Sequence, residues 1–334
     1  MRQLGTSSAS NVRRHRGFAA AIAFVGVSVT AFSIYQSYSQ NHLHNFPEPV
    51  AKPLRRALYY SSDSGGKEYG KSLLLYRDAI EQSKQFGMDP SSDEVTGLKI
   101  QMAGLLELLE RKSAAATVYT NVLSVLNNAV AETDSDKSVL RKRAIGVAVK
   151  LGRLQEELGL LSSAHNTLER ATTSLLEETR KRGQSIGESN HWLSNEETGG
   201  VFEAFADVLQ AQGKVDYAVP LYLQCLPLCR PPHCHSVILM NNIAAALAMR
   251  NPADALQWAH KSLEVSELPE NTKDEECQSG RLVSLFNLGM ITERQGNLQK
   301  AKDYYKRAGH LAKELNDHTG ASKVDKALER LKSL

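Results

Sequence analysis

The sequence predicts an all-α protein, a solenoid of short antiparallel helix pairs preceded by a single transmembrane helix. Three observations carry that prediction. Aromatic residues make up only 6% of the 334 residues while Ala and Leu abound, a balance that favours helices over strands. Small residues recur at helix-crossing spacings along most of the chain. No run of alternating β-branched residues argues for a sheet.

The first segment, residues 1–16, holds Arg2, Arg13, Arg14 and Arg16, and no acidic residue occurs before Glu48. From Gly17 to Tyr35 the chain reads "GFAAAIAFVGVSVTAFSIY", without a charge. Nineteen helical residues rise about 28 Å, close to the thickness of the hydrocarbon core. Arg residues directly before such a span hold that end on the positive-inside face. An acid-free, Arg- and Ser-bearing start also has the character of a mitochondrial targeting sequence. Together they predict a single-pass inner-membrane protein, with a short N-terminus in the matrix and a large domain in the intermembrane space. The competing address is an endoplasmic-reticulum signal anchor. Residues 36–52, with "FPEPVAKP", read as a linker.

The clearest repeat is "LVSLFNLGMITERQGNLQKAKDYYKRAGHL", beginning at Leu282. Leu285, Leu288, Gly289, Gly296, Ala301, Tyr305 and Ala308 fall at spacings that resemble the tetratricopeptide consensus. Gly289 and Ala301 let two helices cross closely, Gly296 makes the turn, and Tyr305 fills the space beside the crossing. Sliding this template back yields weaker copies, marked by Gly152 and Ala164, by Ala206 and Ala218, and by Ala244 and Ala255. Further upstream the markers are Ala103 with Ala115, and Tyr60 with Ser72. About six units result within 53–315, at 53–86, 96–129, 145–178, 199–232, 237–269 and 282–315. The stretches between them (87–95, 130–144, 179–198 and 270–281) carry Gly, Ser, Asp and Glu and read as loops. Residues 316–334 place Val324, Leu328 and Leu331 on one face of a final, capping helix.

"FPEPVAKPLRRALYY" from Phe46, with "FGMDPSSDEVTGLKIQMAGLLE" from Phe86, resembles a fungal family: the tetratricopeptide adaptor subunit of the mitochondrial i-AAA protease. The order of parts matches as well, from basic N-terminus through one span and a short linker to repeats. The resemblance implies a non-catalytic subunit that delivers unfolded or misfolded membrane proteins to the protease, beside a second adaptor subunit. From the residues alone comes an anchored interaction scaffold without a named partner. An assembly factor for an inner-membrane respiratory complex is the alternative.

Motifs for catalysis are missing from the sequence. "SGGKEYGKS" lacks the phosphate-loop spacing, and Gly65 and Gly66 read as turn formers. There is no H-E-x-x-H, no paired C-x-x-C and no G-x-S-x-G. His191 stands alone in a polar insert. A net charge of +3 gives no reason to expect nucleic acid. No enzyme, cofactor or metal is expected. Binding is expected on the face built by the first helix of each pair. Its candidate residues are Ile100, Arg153, Glu203, Asp207, Asn241, Phe286 and Met290. The Lys/Asn pairing that grips chaperone tails is absent there, and the apolar and small residues suit apolar segments.

Three of the four cysteines fall in "QCLPLCRPPHCH", with Cys277 farther on. Cys225 takes the small-residue position of a second helix, and Pro231 and Pro232 stop it. Cys229, His233, Cys234 and His235 crowd one turn without the usual zinc spacing. Cys225 and Cys229 form one C-x-x-x-C pair, where a structural disulfide would normally need a second such pair opposite. A disulfide among Cys225, Cys229, Cys234 and Cys277 therefore stays open.

Overall fold

The computed structural model describes residues 43–132, 137–188, 192–229 and 234–332. The segment 1–16, the span 17–35, residues 36–42 of the linker, His191, His233 and both prolines at 231 and 232 lie outside the described residues. Among the described residues, no helix is long and apolar enough to cross a membrane, and there is no strand.

The described chain divides into two compact units, with the division just before Thr198. The first holds α1 (Glu48–Ser61), α2 (Tyr69–Gln85), α3 (Asp93–Leu108), α4 (Lys112–Glu132), α5 (Ser138–Glu157) and α6 (Leu161–Lys181). Each packs against the next in the chain. The second holds α7 (Asn195–Ala211), α8 (Val215–Cys225), α9 (Cys234–Leu247), α10 (Pro252–Ser266), α11 (Glu275–Arg294), α12 (Leu298–Glu314) and α13 (His318–Lys332). From α8 onward each again packs on its successor, and α9 also reaches α11. Odd- and even-numbered helices thus pair into hairpins, with α13 covering the last pair.

Two hairpins close where a small residue on the first helix meets a large one on the second. A Cβ added at Gly289 of α11 would come 2.7 Å from the Tyr305 ring of α12. One added at Gly152 of α5 would come 2.4 Å from Leu168 of α6. Ala164, Ala206, Ala218 and Ala301 are all fully buried, as are Tyr76, Tyr119, Tyr222 and Tyr305. A buried phenol hydroxyl needs a partner, and three of these find one on the first helix of their own hairpin. Tyr119 donates to Glu107 Oε1 at 2.6 Å, and Tyr305 donates to Glu293 Oε2 at 2.7 Å. Tyr222 lies 2.6 Å from Asp207 Oδ1 and 2.7 Å from Gln210 Oε1. Where Leu168 replaces tyrosine, Thr167 donates to Gln155 Oε1 at 3.0 Å instead. Burial raises the hydroxyl pKa of both Tyr119 and Tyr305, and the neighbouring carboxylates raise it further, so both remain donors.

The turn inside a hairpin requires a left-handed residue, supplied at Gly159, Gly213 and Gly296 with φ of 76°, 76° and 81°. Between α9 and α10 the turn is shorter. Asn251 caps α10 by accepting from Asp254 N, and Pro252 occupies the first helical position.

Two expectations need correction. The first helix starts at Glu48, inside the stretch read as linker, because Pro49 falls in the first turn where its missing N–H costs nothing. Parts of the stretches read as loops are helical. α5 runs from Ser138, and α11 from Glu275, where Asp274 accepts from Glu276 N and Cys277 N. Ser92 caps α3 in the same way. These caps start the helices a turn or more before the apolar pattern does.

The crossing makes a contrast testable by urea unfolding. Gly289→Ala and Gly152→Ala should each destabilise by about 1–3 kcal/mol, because the new methyl enters a filled space. Gly104→Ala and Gly146→Ala, where a Cβ meets nothing within 4 Å, should be neutral or stabilise by about 0.5–1 kcal/mol.

Candidate functional site

The expected binding residues all lie on odd-numbered helices, and the structure distributes them between the units. Ile100 on α3 and Arg153 on α5 belong to the first unit, where both are half-buried and Ile100 packs on the core of α3–α5. Glu203 and Asp207 on α7, Asn241 on α9, and Phe286 and Met290 on α11 belong to the second.

Within the second unit these residues divide by role. Asp207 accepts from Tyr222 and so belongs to its hairpin's crossing. Asn241 is buried, and its Nδ2 donates to the carbonyl of Gly280 at 2.9 Å. Asn287 Nδ2 lies 3.5 Å from both the Asn241 carbonyl and its Oδ1. Asn241 therefore joins α9 to α11, correcting its reading as a groove residue. The helices come this close because Gly280 has no side chain: a Cβ there would sit 2.7 Å from Val237. Glu203 is also buried, and its Oε2 lies 3.1 Å from His235 Nε2. It too is occupied by a neighbouring helix rather than presented to a partner. Phe286 and Met290 remain as half-buried apolar side chains on α11, with the Phe286 ring 5.5 Å from that of Tyr305.

The N-terminal ends of α9 and α11 form the most chemical part of the chain. Cys234 opens α9, Cys277 lies in the first turn of α11, and a disulfide joins them. Val237 and Val265 pack around the bridge. His235, next in sequence, sits between two carboxylates, with Nε2 3.1 Å from Glu203 and Nδ1 3.5 Å from Glu276. Burial by itself would lower the His235 pKa. Glu203 first, and then Glu276, outweigh it and raise the value to about 11. The charged imidazolium thus ties α7, α9 and α11 together. Cys225 and Cys229 remain thiols, Cys225 buried at the small-residue position expected for it.

Sequence reasoning missed the partner of Cys234 and the role of His235. A signal existed for the first. Both bridged cysteines fall in the extra turn that precedes the repeat pattern of their helix, in consecutive hairpins. Equivalent turns of adjacent repeats lie side by side. The C-x-x-x-C spacing pointed elsewhere.

No protein-family model matches the chain. A TPR repeat-containing protein of Schizosaccharomyces pombe is 29% identical over 301 residues, covering 86% of this chain and 79% of that protein. A protein of Saccharomyces cerevisiae described as MRG3-like is 38% identical over 116 residues, which make up 35% of this chain and 24% of that protein. Among solved structures, BtubC (BKLC) from P. vanneervenii aligns with a TM-score of 0.55 at 15% identity. That alignment covers 75% of this chain and 93% of BtubC, and at such identity it speaks for the fold alone. The chain is an all-helical, tetratricopeptide-like repeat protein, and this fold suggests a protein-binding adaptor or scaffold.

Two measurements check the junction. The bridge closes a loop with a sequence separation of 43, for which chain entropy gives about 4 kcal/mol of stabilisation. Cys277→Ser, or reduction, should therefore lower the unfolding free energy of the second unit by roughly that amount. His235 has a raised native pKa, so its stabilisation is complete below its unfolded value of about 6.5 and is lost as pH climbs toward 11. Melting temperature should fall from pH 6.5 to pH 9.5, with a visibly shallower slope in His235→Gln.

Proposed function

We propose that this chain is a membrane-anchored, non-catalytic adaptor of the mitochondrial inner membrane. It holds unfolded or misfolded membrane proteins on its repeats and delivers them to the i-AAA protease, working beside that protease's other adaptor subunit. The observation that carries the reading is the apolar pair Phe286 and Met290. They lie one helical turn apart on α11 and are half-buried, while the polar positions on α7 and α9 are engaged within the fold. An apolar patch on a repeat's first helix offers extended or amphipathic segments a contact that does not read sequence closely.

Delivery to the i-AAA protease rests on the resemblance of residues 46–60 and 86–107 to the adaptor family. Support for the compartment comes from the Cys234–Cys277 bridge, since disulfides persist in oxidising surroundings. In this reading the basic N-terminus lies in the matrix and the repeats in the intermembrane space.

Affinity purification of the tagged chain from mitochondria tests the proposal. The AAA protease and a second small membrane subunit should be recovered. Recovery of respiratory-complex subunits in their place would favour an assembly factor. Replacing Phe286 and Met290 with Glu should weaken capture of an unfolded client about tenfold or more, an apolar loss of 1.4 kcal/mol or greater. Unchanged capture would remove α11 from the binding face.

A further inference from the structure

The side chains of Cys234, Asp274 and Cys277 each offer one ligand atom, and these atoms lie within 4.8 Å of one another. We propose that this group is a zinc site when the bridge is reduced, so that the same residues hold a disulfide in oxidising surroundings and a soft divalent cation in reducing ones.

The donor set suits zinc. Two thiolates and one carboxylate form a borderline-soft triad, and tetrahedral zinc takes sulfur at about 2.3 Å and carboxylate oxygen at about 2.0–2.2 Å. Those bond lengths place ligand atoms about 3.5–3.8 Å apart, so the group needs only side-chain adjustment once the sulfurs separate. The backbone is already held in place independently of the bridge. Asn241 binds Gly280, and His235 lies between Glu203 and Glu276. Zinc with two thiolates and one carboxylate carries a net negative charge, which the N-terminal ends of α9 and α11 offset. Cys277 is fully buried and Cys234 nearly so, whereas Asp274 is exposed. An ion therefore enters from the Asp274 side, and a water completes the tetrahedron there.

The chemistry balances with a dithiol reductant of the thioredoxin class. Its thiolate attacks Cys234 Sγ, forming a mixed disulfide and expelling Cys277 as thiolate. Its second thiolate then attacks the mixed disulfide and releases Cys234. Two electrons pass to the bridge, the reductant leaves as its own disulfide, and two protons are taken up as the thiols form. Zinc binding returns two protons to solvent as both sulfurs become thiolate ligands.

Asp274 allows the ligand role to be separated from the structural one. It caps α11 by accepting from Glu276 N and Cys277 N, and Asn caps helices equally well. Asp274→Asn therefore keeps the helix start while removing a charged ligand. The test is zinc retention by the full chain after reduction and desalting, quantified by a colorimetric chelator. Cobalt substitution supplies a thiolate-to-metal charge-transfer band, and melting with and without zinc reports folding. The reduced chain should hold one zinc, show that band and melt higher with zinc, while the oxidised chain holds none. Asp274→Asn and Cys277→Ser should each bind at least tenfold more weakly, and a Cys225→Ser/Cys229→Ser chain should bind as before. A reduced chain that retains no zinc overturns the site. So does binding unaltered by Asp274→Asn or Cys277→Ser, or binding that is lost with Cys225 and Cys229.

Discussion

The contact between one small residue and one large one at the α5–α6 and α11–α12 crossings sets how closely those helices approach. Gly289 lies against Tyr305 and Gly152 against Leu168, at separations that leave no room for a methyl group. Packing this close buries the aromatic ring completely, which would strand its hydroxyl in an apolar interior. The first helix answers with an acceptor twelve residues back, Glu107 for Tyr119 and Glu293 for Tyr305. Steric fit sets the distance between the helices, and the hydrogen bond fixes their rotation. Arg330 of α13 extends the last of these links, donating to both carboxylate oxygens of Glu293 at 2.8 and 2.6 Å. Burial would raise the Glu293 pKa, but the hydrogen bonds from Arg330 and Tyr305 bring it below its ordinary value. The closing helix is thereby anchored to the same crossing that organises the hairpin beneath it.

What was legible in the sequence follows from this constraint. A crossing that admits only Gly, Ala or Ser on one side leaves a mark at fixed spacing, so the hairpins could be read from Gly152, Ala164, Ala206, Ala218, Gly289 and Ala301. Helix starts left a different mark. Ser92 and Asp274 begin α3 and α11 by capping, ahead of any apolar periodicity, and polar segments beside them resembled loops. The roles of Glu203 and Asn241 were hidden for another reason. A polar residue at an outward position of one helix faces either solvent or the next repeat, and the choice depends on how closely those helices approach. Gly280 settles that for Asn241, and it lies 39 residues away.

The junction of α7, α9 and α11 shows how repeats can be joined by more than apolar packing. A disulfide, an amide-to-carbonyl bond and a charged histidine between two carboxylates all connect first helices of consecutive hairpins. First helices are also the elements expected to carry partner contact in such arrays. Chemistry that fixes their spacing therefore bears directly on binding, and Phe286 and Met290 lie farther along one of the helices it holds.

In the proposed function, partner proteins meet the first helices rather than the second. Site-specific photo-crosslinking in intact mitochondria measures this most directly, with the probe at Met290 on α11 or at Lys306, exposed on α12. Crosslinks to client proteins are expected from position 290 and none above background from position 306. Crosslinking from position 306 with silence at 290 would contradict it.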